Sequence, residues 1–114
     1  MKITDITATP LATGKSLVRV QTDAGVEGWA EGPGINKVVP GRNGSVFNAY
    51  LETIIKPVLI GENPLDIDRH WETLATGKDD RLYKLPASVV GIIDVALWDL
   101  LGKETGKPVY TLMG

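Results

Sequence analysis

Apolar and polar positions alternate through the first third of the chain, and the period then changes. Residues 2–8 are β-rich and stop at Pro10, which predicts a first strand followed by a short loop over 11–15. Residues 17–22 read as the clearest strand, with Val18 and Val20 on one face. Asp23, Ala24 and Gly25 supply a tight turn with glycine where a positive φ is required. Residues 26–31 return as the partner strand. Glu27, Trp29 and Glu31 fall on one face, and Val26, Gly28 and Ala30 on the other.

From Gly32 to Gly44 the pattern lapses. Gly32, Pro33, Gly34, Pro40, Gly41 and Gly44 crowd this stretch, and a segment without period of that length reads as a functional loop or a disordered one, its centre at 34–44. Ser45 caps a helix on which Phe47, Tyr50, Leu51, Ile54 and Ile55 recur at helical spacing, and Pro57 is expected to end or bend it. Asn63 as N-cap and Pro64 at the first helical position open a second helix. Its stripe is Ile67, Trp71 and Leu74, and Gly77 is its stop. A charged connection over 78–85 leads to Pro86, which opens a third helix running to about Thr105, with Gly106 and Pro108 as stop signals. The order predicts an α+β domain: a three-stranded antiparallel β-meander over 1–33, the loop 34–44, a three-helix bundle over 45–106, and a lead-out over 107–114.

The third helix is the unusual element. Ten of the thirteen residues from Val89 to Leu101 are apolar, which is too many for one stripe. Either the domain closes around this helix or something outside the chain covers it. The mostly apolar tail, Val109 to Met113, reads as an internal segment, so a larger parent is expected and self-association of the isolated chain with it.

Composition narrows the function. At 114 residues the chain is one domain. Twelve basic against fourteen acidic residues give a net charge of −2, which argues against nucleic acid. The lack of cysteine removes disulfides and thiolate metal sites and makes a cytoplasmic location the expectation. No run is apolar enough to span a membrane.

The motifs are weighed in turn. Thr13-Gly14-Lys15-Ser16 carries the end of a phosphate loop, but Thr9 stands where the first glycine belongs and a strand follows instead of a helix. His70, the lone histidine, reads as a surface or edge residue. Asp99 and Lys103 are four apart and can pair, whereas Asp94 reads as bonding a backbone group or an arginine across an interface. These two carboxylates are five apart and point different ways, so no metal-binding pair is read from them. In the long loop, Asn36, Lys37, Arg42 and Asn43 could close over an anionic substrate.

The segment Gly91-Ile92-Ile93-Asp94-Val95-Ala96-Leu97-Trp98-Asp99-Leu100-Leu101-Gly102-Lys103, with Gly106-Lys107-Pro108-Val109 and Leu112-Met113-Gly114 after it, resembles the mandelate racemase/muconate lactonizing branch of the enolase superfamily. The hairpin from Thr22 to Glu31 and the link Val58-Leu59-Ile60-Gly61 with Asn63-Pro64 are similar to the same family in the same order. The resemblance implies an enolase N-terminal capping domain without its catalytic barrel. It implies that two cap loops close the active site and select substrate, here carrying Thr13 in the first and Asn36, Arg42 and Asn43 in the second. It further implies a magnesium-dependent racemase or dehydratase that removes a proton next to the carboxylate of a small acid-sugar-like substrate. The barrel would supply the metal ligands and bases, so neither a catalytic residue nor a metal ligand is assigned in this chain, and the full enzyme is expected to be a homo-oligomer. The competing reading is a stand-alone protein-interaction module that uses the apolar third helix.

Overall fold

The computed structural model describes residues 1–11, 15–33, 49–76, 85 and 87–107. Three strands, β1 (Ile3–Pro10), β2 (Lys15–Thr22) and β3 (Glu27–Pro33), form one antiparallel sheet in chain order. Helix α1 comprises a wide turn, Leu51–Ile55, running into Lys56–Leu59. Helix α2 is Ile67–Thr76 and α3 is Ala87–Thr105. This is the α+β order that the sequence predicts.

One sheet face makes the core. Ile6, Val18, Val20 and Ala30 are buried on it, and the pairs Ile6 with Val20 and Val18 with Ala30 stand opposite each other. Ile3 is buried too, although it is three residues from Ile6 and strict alternation would turn it outward. A register shift between Ile3 and Asp5 resolves this, because the extra residue of a bulge returns Ile3 to the inner face. The Gly25 turn forms as expected, at φ 79°, and buried Thr22 locks it by donating from Oγ1 to the Val26 carbonyl at 2.6 Å.

The helices depart from the sequence reading in three places. Pro57 does not end α1. The backbone N–H of Lys56 reaches back five residues to the Leu51 carbonyl, and this wide turn leaves Pro57 near the start of a fresh helical segment, where its missing N–H is not needed. Asn63 does not cap α2. Its Oδ1 instead accepts from the Leu65 N–H at 3.0 Å, closing a turn, and the helix begins after Asp66, whose carbonyl accepts from the His70 N–H at 3.1 Å. The later start places His70 inside, 2% exposed, with Nε2 donating to the Asn63 carbonyl at 2.7 Å, and leaves Trp71 51% exposed. The stripe is therefore Ile67, His70 and Leu74.

Helix α3 is largely enclosed by its own domain. Val89, Val90, Ile92, Ile93, Ala96, Leu97 and Leu100 are buried, Trp98 and Leu101 are half-buried, and Val95 alone among its large aliphatic side chains lies in the open. Gly28 makes the close approach possible. A Cβ there would sit 2.1 Å from the Ala96 carbonyl oxygen and 2.9 Å from the Leu100 Cβ, so β3 rests directly on the α3 backbone. The helix ends as predicted at Gly106, φ 71°, with the Lys107 N–H bonded to the Gly102 carbonyl in a Schellman closure. No helix among the described residues is long and apolar enough to cross a membrane.

Candidate functional site

The sheet register determines where the predicted loops begin. Pro10 pairs with Ser16, Ser16 with Gly32, and Lys15 with Pro33. The chain therefore leaves β1, enters β2 and leaves β3 at one end of the sheet. Thr13, Asn36, Arg42 and Asn43 themselves lie outside the described residues, as do Lys37 and the tail from Pro108. What the fold provides is a common root for the two segments that carry them.

The outer edge of β3, from Glu27 to Trp29, is held from the side by α3. As an edge strand, β3 has backbone groups without strand partners. Asp99 Oδ2 accepts from the Trp29 N–H at 2.8 Å, and Lys103 Nζ donates to the Glu27 carbonyl at 3.0 Å, while Asp99 and Lys103 pair with each other at 2.7 Å. The predicted Asp99–Lys103 pair thus exists and also closes the strand edge. The opposite edge, at β1, is closed by the link before α2: the Ile3 N–H bonds the Glu62 carbonyl at 2.9 Å and the Gly61 N–H bonds the Ile3 carbonyl at 2.8 Å.

On the outer sheet face, Arg19 Nε donates to Glu27 at 2.7 Å and the guanidinium lies 5.3 Å from the centre of the Trp29 ring. The Arg19 hydrogen bonds, with the nearby charges of Arg19 and Lys103, hold the Glu27 carboxyl below its ordinary range. On α1, Lys56 pairs with Glu52 at 2.7 Å and with Asp5 at 3.2 Å, fastening that helix to β1.

A second region emerges that the sequence reading did not single out. An open groove of about 500 Å³ runs between α2 and α3, lined by Asp68, Trp71, Glu72, Asp94 and Trp98. Among the described residues the partner of the Asp94 carboxylate is the Trp98 indole; an arginine such as Arg81 lies outside them. Burial, and the nearby charge of Asp68, push its pKa up. The signal that could have found the groove is Trp71, which a one-residue shift of the helical stripe moves outside.

The described residues do not suit a metal. Among them no three His, Cys, Asp or Glu side chains converge to hold a cation.

Comparison with known proteins agrees with this architecture. Residues 6–114 match the family model described as mandelate racemase / muconate lactonizing enzyme, N-terminal domain. D-galactonate dehydratase of Ralstonia nicotianae is 38% identical over 114 residues, which is all of this chain and 28% of that protein. The D-galactonate dehydratase of Pectobacterium atrosepticum is 37% identical over the same span. Among solved structures, D-glucarate dehydratase from Agrobacterium tumefaciens complexed with magnesium superimposes with a TM-score of 0.74 at 28% identity, over the whole of this chain and 33% of that one. An enolase of the mandelate racemase subgroup from the same organism gives 0.76 at 28%, covering 30% of its chain. The chain thus spans about a third or less of the proteins it resembles. A meander, the helices packed beneath it and a family match from residue 6 onward lead to one assignment: this chain belongs to the mandelate racemase/muconate lactonizing enzyme N-terminal domain family of the enolase superfamily.

Proposed function

We propose that the chain is the substrate-capping and specificity domain of an acid-sugar dehydratase. The observation that carries the proposal is the common root of the two loop segments at one end of the sheet, in a chain similar along its whole length to D-galactonate dehydratases. Two segments leaving side by side can close over one small substrate from adjacent directions. Arg42 supplies the charge that a sugar-acid carboxylate requires, and Thr13, Asn36 and Asn43 supply hydrogen bonds to hydroxyls. The domain's part is to bind, orient and exclude water, while proton removal next to the carboxylate belongs to a catalytic barrel. Magnesium, present in the D-glucarate dehydratase structure, would be held outside the described residues, which do not fit it. The full enzyme is proposed to be cytoplasmic and homo-oligomeric, with residues 1–33, 34–44, 45–106 and 107–114 as meander, loop, helical part and lead-out.

The test is to assay the longer polypeptide that contains this chain against a panel of six-carbon sugar acids, following the 2-keto product. D-galactonate or a close epimer is expected to react. Replacing Arg42 by Ala is expected to raise KM about tenfold, the size of one lost charge-assisted hydrogen bond, with an unchanged melting temperature. Failure to dehydrate any sugar acid overturns the substrate class. An Arg42→Ala enzyme with normal kinetics overturns the role of the loop.

A further inference from the structure

One stripe of α3 carries a short stretch of β3. Ala96, Asp99, Leu100 and Lys103 recur at the helical spacing that puts them on one face. Against them lie three consecutive strand residues. Gly28 rests on the Ala96 carbonyl and the Leu100 Cβ, with no room for a side chain between. On either side of it, the Glu27 carbonyl accepts from Lys103 Nζ at 3.0 Å and the Trp29 N–H donates to Asp99 Oδ2 at 2.8 Å. The same oxygen, Oδ2, also takes the Lys103 ammonium at 2.7 Å. One carboxylate atom therefore ties the strand edge to the helix twice, once directly and once through the lysine. Ala96 and Leu100 are fully buried, so this face of the helix is anchored in the core.

The clamp lies four residues from the loop root. Trp29 to Pro33 is about 13 Å of extended strand. Pro33 and Gly32 pair with Lys15 and Ser16, and Ser16 pairs in turn with Pro10. Contact at Gly28 alone sets a distance and not an angle; the two hydrogen bonds flanking it set the angle. An angular error at the clamp grows along the strand. A swing of about 5° about Trp29 carries Pro33 by about 1 Å, and through the ladder the start of the first loop segment follows. Misplacement by about 1 Å, even when caused far from the chemistry, can cost about a hundredfold in rate.

We propose that Asp99 is a positioning residue of the capping function. By holding the Trp29 N–H and the Lys103 ammonium on one oxygen, it sets the heading of β3 on α3, and with it the placement of both loop segments over a sugar-acid substrate. The proposal rests on the capping reading. Its action runs through the strand and not through contact with substrate.

Two measurements test it. In the first, the amide signals of Lys15, Ser16 and Gly32 are followed by NMR in the 114-residue chain. Asp99→Ala is expected to move all three. His70→Ala, which removes a buried contact on α2 away from the clamp, is expected to leave them in place. In the second, sugar-acid dehydration is measured in the longer polypeptide that contains this chain. Asp99→Ala is expected to raise KM about fivefold with kcat within about twofold of the parent, because the loops bind and orient while proton removal lies elsewhere. Asp99→Asn keeps an oxygen that accepts both donors, and it is expected to hold KM within about twofold of the parent. Lys103→Met keeps the apolar stem but removes the donor to the Glu27 carbonyl. It should repeat the Asp99→Ala pattern more weakly, and it carries the test if Asp99→Ala does not fold. Root signals that stay in place overturn the proposal. So does a His70→Ala enzyme whose KM rises as much as that of Asp99→Ala, since the effect is then one of stability alone, or an Asn variant as impaired as the Ala variant. Root signals that move in a polypeptide that dehydrates no sugar acid sink the capping reading and leave the heading of β3 assigned to Asp99.

Discussion

Asp99 accepts a hydrogen bond from the backbone N–H of Trp29 at 2.8 Å across seventy positions of sequence. A helix side chain here takes the place of a fourth strand. Replacing Asp99 by Ala is expected to destabilise the domain by about 1–2 kcal/mol, because a strand-edge N–H loses its acceptor and Lys103 its partner. Thermal unfolding should register this as a fall of about 4 °C or more. An unchanged midpoint would show that water replaces the carboxylate without loss.

Gly28 and Gly91 should respond oppositely to the same substitution. Gly28→Ala drives a methyl to 2.1 Å from the Ala96 carbonyl, so backbone must move, and the expected loss is about 3 kcal/mol or more. Gly91 lies within α3 with nothing inside 4 Å of an added Cβ, and Gly91→Ala is expected to stabilise by about 0.5–1 kcal/mol through helix propensity. Urea unfolding of both variants checks the pair, and similar signs would contradict the packing described.

His70 and Trp71 should reverse the order that their sizes suggest. His70→Ala removes a buried ring and its bond to the Asn63 carbonyl, and about 2 kcal/mol of destabilisation is expected. Trp71→Ala removes a side chain that is half in water, so a smaller loss is expected, below about 1.5 kcal/mol. Denaturation of the two variants side by side decides it. A larger loss at Trp71 would restore it to the core.

Asp94 gives a pH dependence of definite sign. Its folded pKa is raised, so the native state binds its proton more readily than the unfolded chain does. The destabilisation from this group is absent below the unfolded value of about 4 and grows as pH rises through the folded value. Asp94→Asn is therefore expected to gain stability relative to the parent as pH rises from about 4 to 7. Paired urea titrations at these two pH values measure the difference, and a gap that narrows with pH would reverse the assignment.

The parts legible in the sequence are those fixed by one or two residues acting locally. The hairpin is set by alternation and by Gly25, and the end of α3 by Gly106. What was not legible depends on partners distant in sequence. Asn63 satisfies the cap rule and so does Asp66; the edge of β1, which bonds Gly61 and Glu62, accompanies the later start. That shift exchanges His70 for Trp71. Pro57 carries a helix-ending signal, but a widened turn upstream removes the conflict. The apolar character of α3 was plain, yet its cover within the domain was not, because Gly28 reads as an ordinary strand glycine until the helix is seen against it. For the candidate substrate residues, the readable part is their root, since Pro10, Lys15 and Pro33 are placed by strand pairing.

Under the proposed capping function, that shared root also limits how selectivity can change. Ser16 pairs on one side with Pro10 and on the other with Gly32, so the central strand acts as a yoke between the two exits. A substitution that alters its twist tilts both exits together, and neither segment can be re-aimed from the sheet without carrying the other. Under the proposed capping function, a new preference for a substrate is expected to arise from residues within the segments themselves. A transplant of residues 34–44 between relatives is expected to transfer selectivity cleanly only when the recipient's β2 keeps the same register at Lys15 and Ser16.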